Sequence, residues 1–506
     1  MALNPQHEVK RPTGAQPGEL AAPPRLLFWL IIGLFVLGIV GGVTGVVVFR
    51  NVLRPGQQQR IIDMLPFMSA LLDKPDPGAT LPTVVPPTGA ISPDDLLNSP
   101  LVSTTDEPTP LPPTPTEVAP TPVSALPTAS LHPTTTPTPP TATPTMEPTA
   151  ESLALTVASL GGVGVAQADT GAEPPPAPQV AAASVDVGPD IPSAHRLYGF
   201  THVEQTWNNC GPANITMALS YYGWQGTQEQ AAEFLKPDRE DKNVNPAEMV
   251  SYVNEASGVR AITRIGGDLA LLKQLVAAEF AVIVESGYAP EGYDWIGHYR
   301  TIVGYDDSQQ LFYLYDSYLG TGANGEGLAV SYDQLDQDWQ AFNRVFIALY
   351  TQEREAEVAA ILGERADVTR AAELALTTAQ QEARANPQNE YAWFNMGSSL
   401  VRLGRYEEDA AAYDRAVSLG LSFRMLWYQF GLFEAYYNMQ RYDDVLSYVT
   451  SNLNNGGSYV EETYYWQGRA YAAQGRRDLA ADAFRRALTH NPRYTAAQEA
   501  LAELGV

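Results

Sequence analysis

The sequence predicts an α+β domain followed by an all-α solenoid of helical repeats, with a transmembrane helix and a disordered stalk before them. Three observations support this prediction. Residues 26–49 are an unbroken apolar run, residues 50–190 are rich in Pro and Thr, and helical repeats replace mixed helix and strand patterns near residue 352. A chain of 506 residues is also long enough for several domains. We therefore expect a mixed region at 195–350 and a helical region at 352–506.

Composition narrows the classes of function. The formal net charge is −26 and the isoelectric point is about 4.5. Because nucleic-acid binders usually carry a basic surface, we expect no nucleic-acid partner. The single cysteine, Cys210, excludes an intramolecular disulfide. A lone thiol with candidate His and Asp partners is the pattern of a nucleophile, and the alternative is a buried, inert cysteine.

The apolar run predicts one membrane span. As a helix, residues 26–49 would extend roughly 36 Å, which exceeds a hydrocarbon core of about 30 Å. We favour an uncleaved signal anchor over a cleaved signal peptide, whose apolar region is shorter.

The composition of residues 50–190 decides the orientation of this span. A tract rich in Pro and Thr cannot bury a core, so we predict a disordered, extended stalk. Stalks of this kind usually lie outside the cell. We therefore expect residues 1–25 to be a cytoplasmic tail and the later domains to be extracytoplasmic, in a single-pass protein of the cell membrane.

The sequence pattern of the mixed region predicts helices followed by strands. Helices are predicted over 211–222, 227–235, 246–256, 268–278 and 332–339, and strands over 280–288, 298–305, 311–316 and 344–350. Because most helices precede most strands, this order predicts two layers, with helices against an antiparallel sheet.

Cys210 lies at the predicted start of the first of these helices. Pro212 suits a first helical turn, where its missing N–H has no intrahelical partner. Unpaired N–H groups and the helix dipole at this end favour an anion, so they stabilise a thiolate and lower the thiol pKa.

Three further residues supply what a cysteine hydrolase needs beside its nucleophile. His298 opens a strand and is the candidate base, although His202 competes with it. Asp316 ends the next strand and is the candidate for orienting the imidazole. Gln205 precedes the helix and could direct its amide N–H₂ toward the space that the Cys210 backbone N–H also faces.

The segments that hold these residues, QTWNNCGPA, HYRTIVGYDD and FYLYDSYLG, resemble the bacteriocin-processing, double-glycine family of cysteine peptidases, in its broad peptidase-like branch. The resemblance covers residues 195–350 and implies a papain-like fold. It implies that Cys210 is the nucleophile, His298 the base and Asp316 its orienter, with Gln205 in the oxyanion hole. Two features depart from the family: Gln205 is five residues before Cys210 where transporter-linked members usually have six, and Ser317 stands where many relatives have Pro.

The helical region contains a recurring pattern of aromatic and small residues, including Trp393 with Gly397 and Tyr464 with Gly468. Its last unit, YYWQGRAYAAQGRRDLAADAFRRALTHNP, resembles a tetratricopeptide repeat. Such arrays usually present a concave groove to a peptide or protein, so we expect a protein partner there.

Together these observations favour a membrane-anchored, extracytoplasmic cysteine peptidase that hydrolyses peptide bonds of a peptide or protein substrate. No cofactor or metal is expected. Two alternatives stay open: an inactive surface scaffold that acts through its repeats, and an amidase or acyl-transferase of the same fold.

Overall fold

A computed structural model describes residues 41, 42, 44–46, 48, 49, 65, 68, 80–87, 89–98, 191–289 and 295–506. Among these residues no helix is long and apolar enough to cross a membrane. The cytoplasmic tail predicted at 1–25 lies outside the described residues, as do most of the transmembrane helix predicted at 26–49 and most of the stalk.

From residue 93 onward, the described part of the chain contains both helices and strands. The strands are β1 (Ala194–Arg196), β2 (Arg260–Arg264), β3 (Ala281–Tyr288), β4 (Ile296–Asp306), β5 (Leu311–Tyr315), β6 (Leu328–Ser331) and β7 (Phe346–Tyr350). The helices up to β7 are α1 (Pro93–Asn98), α2 (Cys210–Tyr221), α3 (Gln228–Leu235), α4 (Pro246–Ala256), α5 (Leu269–Ala277) and α6 (Tyr332–Gln340). The later helices are α7 (Glu355–Leu362), α8 (Val368–Ala385), α9 (Glu390–Arg402), α10 (Tyr406–Ser418), α11 (Gly431–Asn438), α12 (Tyr442–Asn454), α13 (Glu461–Ala473), α14 (Arg477–His490) and α15 (Thr495–Leu504).

The strands form one antiparallel sheet in the order β2-β7-β3-β4-β5-β6. The long strand β4 is its centre. One edge of β4 pairs with β3 and then with β1, and the other edge pairs with β5. This arrangement places the start of β4 and the end of β5 on neighbouring strands, where the predicted base and its orienter lie.

The predicted two-layer arrangement is wrong, because helices cover both faces of the sheet. Along β3, Ala281 and Ile283 pack with residues of α2, α3 and α4. The alternate residues Val282 and Val284 pack with residues of α5, α6 and α7. Successive side chains of a strand point to opposite faces, so an uninterrupted apolar run indicates burial on both faces. The mixed region therefore has three layers.

The predicted elements of the mixed region agree with the structure to within two residues at each end. Strands β1, β2 and β6 were not predicted. Each has only three to five residues, and β2 carries Arg at both ends. Such short segments contain too few positions for an alternating pattern to stand out.

The repeat helices pack through the small residues that the sequence pattern indicated. A Cβ atom added to Gly397 would lie 2.9 Å from the ring of Tyr413, and one added to Gly468 would lie 2.5 Å from the ring of Phe484. Only glycine allows the paired helices to approach this closely. The aromatic rings fill the space between them.

The repeats also pack against the mixed region. Asn343 donates hydrogen bonds to the hydroxyls of Ser398 and Ser399 on α9, at 2.8 and 2.9 Å. Its neighbour Arg344 pairs with Asp336 on α6 and with Glu382 on α8. In the described part of the chain, the helical repeats and the mixed region thus share an interface.

Residues 80–98 depart from the disorder that was predicted for the whole stalk. The backbone N–H of Leu81 donates to the carbonyl of Leu421 at 3.0 Å, and Arg384 Nε donates to the carbonyl of Leu97 at 2.7 Å. The side chains of Leu81 and Leu96 are buried in the core of the repeats. This part of the Pro-rich tract holds apolar side chains that pack against the helical repeats, which a count of its prolines does not show.

Candidate active site

Cys210 is the first residue of α2, with Asn209 at the N-cap position. The Asn209 side chain donates to Thr206 Oγ1 at 2.7 Å, which holds the turn that leads into the helix. Gly211 lies close to a neighbouring loop, because an added Cβ would be 3.1 Å from Val244. The sulfur is therefore fixed at a helix N-terminus, where the helix dipole favours a negative charge.

His298 and Asp316 meet across the β4–β5 pair. His298 Nε2 and Asp316 Oδ1 are 2.9 Å apart, and the two residues are 3% and 0% exposed. The same carboxylate oxygen accepts the backbone N–H groups of Tyr318 at 2.7 Å and Leu319 at 2.9 Å. Burial raises the pKa of Asp316, but the charge and hydrogen bond of His298 and the backbone donors outweigh it, so the pKa is lowered. Asp316 is thus an anion that fixes the imidazole.

The ring of His298 also forms a hydrogen bond with the Cys210 side chain. Because Nε2 is bound to Asp316, Nδ1 is the nitrogen that is left to face the sulfur. Burial alone would lower the pKa of this imidazole, but the charge and hydrogen bond of Asp316, with the Cys210 sulfur, raise it to about 9. At neutral pH the ring is therefore an imidazolium.

The pKa of the Cys210 thiol shifts in the opposite direction, below its ordinary value. Burial raises the pKa of Cys210, but the hydrogen bond and positive charge of His298, with two backbone donors, outweigh burial and lower it. Cys210 is only half-buried. The geometry therefore favours a thiolate–imidazolium pair with Asp316 behind it.

Gln205 is attached to the segment that follows Asp316. Its backbone N–H donates to the carbonyl of Ser317 at 2.8 Å, and its Oε1 accepts from Ser317 Oγ at 2.8 Å. Because Oε1 accepts this hydrogen bond, the orientation of the side-chain amide is set, and its N–H₂ group lies on the side of the amide away from Ser317 Oγ. The structure thereby connects Gln205 to Asp316 through one intervening residue.

Asn214 and Ser317 are polar residues of the site that the sequence analysis missed. Asn214 Nδ2 lies 2.9 Å from the carbonyl of Cys210, 2.8 Å from that of Tyr299 and 3.1 Å from Ser317 Oγ. Its Oδ1 accepts from Thr301 Oγ1 at 2.9 Å. Asn214 therefore joins α2, β4 and the turn after β5. The available sequence signal was an Asn one turn after the cysteine, on a helix whose next residues are mostly apolar; the structure shows that its side chain is fully buried and hydrogen bonded.

His202, the competing base, has a different partner. Its Nε2 lies 2.9 Å from the backbone carbonyl of Asp316. The ring therefore supports the turn that carries the carboxylate, whereas His298 is the histidine hydrogen bonded to the thiol.

The chain resembles known proteins in two regions. Residues 197–347 match the family model described as Peptidase_C39 like family. Residues 390–419 and 461–494 match models of the tetratricopeptide repeat. The resemblance inferred from the sequence is confirmed in both regions, so the chain contains a Peptidase_C39-like region followed by tetratricopeptide repeats.

Two solved structures are similar to part of the chain. One carries the description of a C39-like peptidase from Bacillus anthracis; it is 16% identical, covers 31% of this chain and 98% of its own, and has a TM-score of 0.27. The other is the peptidase domain of Streptococcus ComA, described as a bi-functional ABC transporter involved in a quorum sensing pathway. It is 15% identical, covers 31% of this chain and 100% of its own, and has a TM-score of 0.24. A search of curated proteins finds no match.

Replacing Asp316 by Asn should lower the pKa of His298. The folded-state pKa of about 9 lies above the ordinary value of 6.5. The stability contributed by the imidazolium is therefore fully present below about pH 6.5 and is lost as the pH rises through about 9. We expect an NMR titration of the His298 ring with a midpoint near 9 in the wild type, lower by at least about one unit in Asp316→Asn. A wild-type midpoint near 6.5, or no change in the variant, would contradict this charge assignment.

Proposed function

We propose that residues 197–347 are a cysteine peptidase domain of papain-like type, which hydrolyses peptide bonds. The observation that supports this most is the position of His298, hydrogen bonded to the Cys210 thiol and, through its other ring nitrogen, to a buried carboxylate. A nucleophile within reach of a base, which is itself oriented by a third group, is the arrangement that covalent acyl transfer requires.

In the first half of the reaction, the Cys210 thiolate attacks the carbonyl carbon of the substrate. The carbonyl oxygen becomes an oxyanion, and the side-chain N–H₂ of Gln205 and the backbone N–H of Cys210 stabilise it. The His298 imidazolium then donates a proton to the leaving nitrogen. The amine departs, and a thioester to Cys210 remains.

In the second half, water attacks the thioester. His298, now neutral, accepts a proton from that water, and the collapse of the second oxyanion expels the Cys210 thiolate. The products are a carboxylic acid and the restored thiolate–imidazolium pair. Asp316 stays ionised throughout and holds the ring in place.

An inactive scaffold explains the same site less well. Burying an ionised His–Asp pair costs free energy that well-packed apolar side chains would not cost. His298 and Asp316 are nearly inaccessible to solvent, so their charges are maintained at a cost. A role in catalysis explains why the site keeps this buried ionised pair.

We further propose that the repeats bind a protein partner and that residues 26–49 anchor the chain in the cell membrane, with the later domains outside. The repeat matches and the apolar run support these two proposals. Because α9 and the start of α13 contact the mixed region of the same chain, a partner would have to use other parts of the repeats or displace these contacts.

Cys210→Ala should abolish hydrolysis of peptide bonds. His298→Ala keeps Cys210, and iodoacetamide should alkylate this thiol more slowly than in the wild type at neutral pH. The reason for the second effect is loss of the imidazolium that lowers the thiol pKa. Because Cys210 is the only cysteine, mass spectrometry reads its labelling without interference. His195→Ala, on β1 of the same sheet, is the matched control and should label like the wild type. Equal labelling rates in His298→Ala and the wild type would favour the inactive scaffold.

Ser317→Ala should reduce kcat/KM for peptide hydrolysis by about tenfold or more, because it removes the donor that orients Gln205. Gln205→Ala should cost on the order of 100-fold in kcat, and the double variant should be no slower than Gln205→Ala alone. Alkylation of Cys210 forms no oxyanion and should be unchanged in Ser317→Ala. Ser308→Ala, in an exposed turn, is the control. Additive losses in the double variant would contradict the positioning role.

A further inference from the structure

An irregular segment, residues 236–245, connects α3 to α4 and lies beside the candidate active site. The carbonyl of Val244 accepts a hydrogen bond from Tyr299 Oη at 2.7 Å. A Cβ atom added to Gly211 would lie 3.1 Å from the side chain of Val244. Tyr299 directly follows the candidate base and Gly211 directly follows the candidate nucleophile. The segment therefore contacts the backbone on both sides of the site.

The segment also holds the turn that precedes α2. Glu240 accepts two hydrogen bonds from this turn: Trp207 Nε1 donates to its Oε2 at 3.0 Å, and Asn208 Nδ2 donates to its carbonyl at 3.2 Å. Asn208 has a φ of 55°, a left-handed conformation that is uncommon for residues other than glycine. These contacts help to fix the turn in the conformation that places Cys210 at the start of the helix.

The opposite side of the segment is bonded to the last repeat, residues 461–494. Glu462, at the start of α13, is 4% exposed. Its Oε1 accepts hydrogen bonds from Asn243 Nδ2 at 3.2 Å and from Asn245 Nδ2 at 2.6 Å. The two asparagines flank Val244, so one carboxyl oxygen holds both neighbours of the residue that contacts the site.

Two further contacts join the segment to the repeats. At the end of α14, His490 Nδ1 lies 2.7 Å from Asp238 Oδ2. Lys242 Nζ lies over the rings of Trp427 and Tyr459, 5.2 and 5.7 Å from their centroids. The segment is therefore held between the repeats and the candidate active site along most of its length.

The repeats also reach the strand of the candidate base directly. A Cβ atom added to Gly297, the residue before His298, would lie 3.0 Å from two ring carbons of Tyr428. The hydroxyl of Tyr428 is hydrogen bonded to the backbone of Gly297. Both the strand of the base and the segment beside the nucleophile are thus in contact with the helical repeats.

We propose that Glu462 is a positioning residue for the candidate active site, because it fixes segment 236–245 and thereby the helix start that carries Cys210. This inference rests on the proposed peptidase function, in which the Cys210 thiol must stay within hydrogen-bonding distance of His298. Without the support of the segment, the start of α2 would be free to shift against β4. The hydrogen bond between thiol and imidazole would weaken, and the thiolate would lose part of its stabilisation.

A simpler role for an acidic residue in the first turn of a helix is to stabilise the helix dipole with its negative charge. Glu462 does not fit this role. Burial and the charges of neighbouring carboxylates raise the pKa of Glu462 well above its ordinary range, so its carboxyl is neutral. It holds the two asparagines as an uncharged hydrogen-bond acceptor, which the amide oxygen of glutamine can replace.

This assignment gives the last repeat a role within its own chain. The mixed region supplies the nucleophile and the base, and the repeat supplies a support for the segment between them. A partner that moved the start of α13 would then change the reactivity of Cys210.

The test compares Glu462→Ala with Glu462→Gln in the full chain. Glu462→Ala removes the acceptor, and we expect iodoacetamide to alkylate Cys210 at least about threefold more slowly at neutral pH, with the thiol pKa raised by about half a unit. In the same variant, kcat/KM for peptide hydrolysis should fall by about tenfold or more. Glu462→Gln keeps an acceptor in place and should remain within about twofold of the wild type in both measurements.

Asp414→Ala is the matched control, because it also removes a largely buried carboxyl from the repeats. Asp414 accepts hydrogen bonds from Tyr436 and Arg441, which both belong to the repeats. Its loss should lower the thermal transition without changing the alkylation of Cys210. If Glu462→Ala does not fold, Asn243→Ala removes a donor from the other side of the contact and replaces it with the same expectation. An alkylation rate like that of the wild type, or an equal loss in Asp414→Ala, would overturn the proposal.

Failure of the proposed function gives a different pattern of results. If the wild type hydrolyses no peptide bond while Glu462→Ala still slows alkylation, the positioning of Cys210 is supported and the peptidase is rejected. If the wild type hydrolyses peptides and only His298→Ala slows alkylation, the peptidase is supported and the positioning role is rejected.

Discussion

The structure of the site depends on one buried imidazole that must satisfy two partners at once. His298 bridges the Cys210 sulfur and the Asp316 carboxylate, and a charged ring with so little solvent contact is stable only while both are in place. Each partner is supplied by a different element: the start of α2 and the turn after β5. The antiparallel pairing of β4 with β5 brings the His298 imidazole and the carboxylate together, and packing of α2 on the sheet brings the thiol to them.

A second layer of contacts makes this arrangement rigid. Asn214 connects the backbone of Cys210 to β4 and to Ser317, and Ser317 in turn orients Gln205. The family resemblance marked Ser317 as a departure, because many relatives have Pro at that position. In this chain its hydroxyl donates to the amide that we assign to the oxyanion hole, which a proline could not do. The departure is therefore explained by a contact specific to this site.

Sequence reasoning recovered the features that depend on local patterns. The helix at Cys210, the strand of His298 and the strand that ends just before Asp316 follow from helix-start residues and apolar periodicity, which act within a few residues. It failed where the cause is tertiary. Burial of β3 on both faces, docking of residues 80–98 and the approach of Tyr428 to Gly297 all depend on surfaces that only the folded chain brings together. The contact between Gly297 and Tyr428 produces no periodic pattern in the sequence of either segment.

The central claim is that the only thiol of the chain is ionised by its contact with His298. The most direct test is a pH titration of the ultraviolet absorbance of the Cys210 thiolate, in the wild type and in His298→Ala. We predict a wild-type thiolate that persists to a pH below the ordinary thiol value of about 8.5, and a transition that moves up toward that value in the variant. A wild-type transition near 8.5, unchanged by the substitution, would contradict the account.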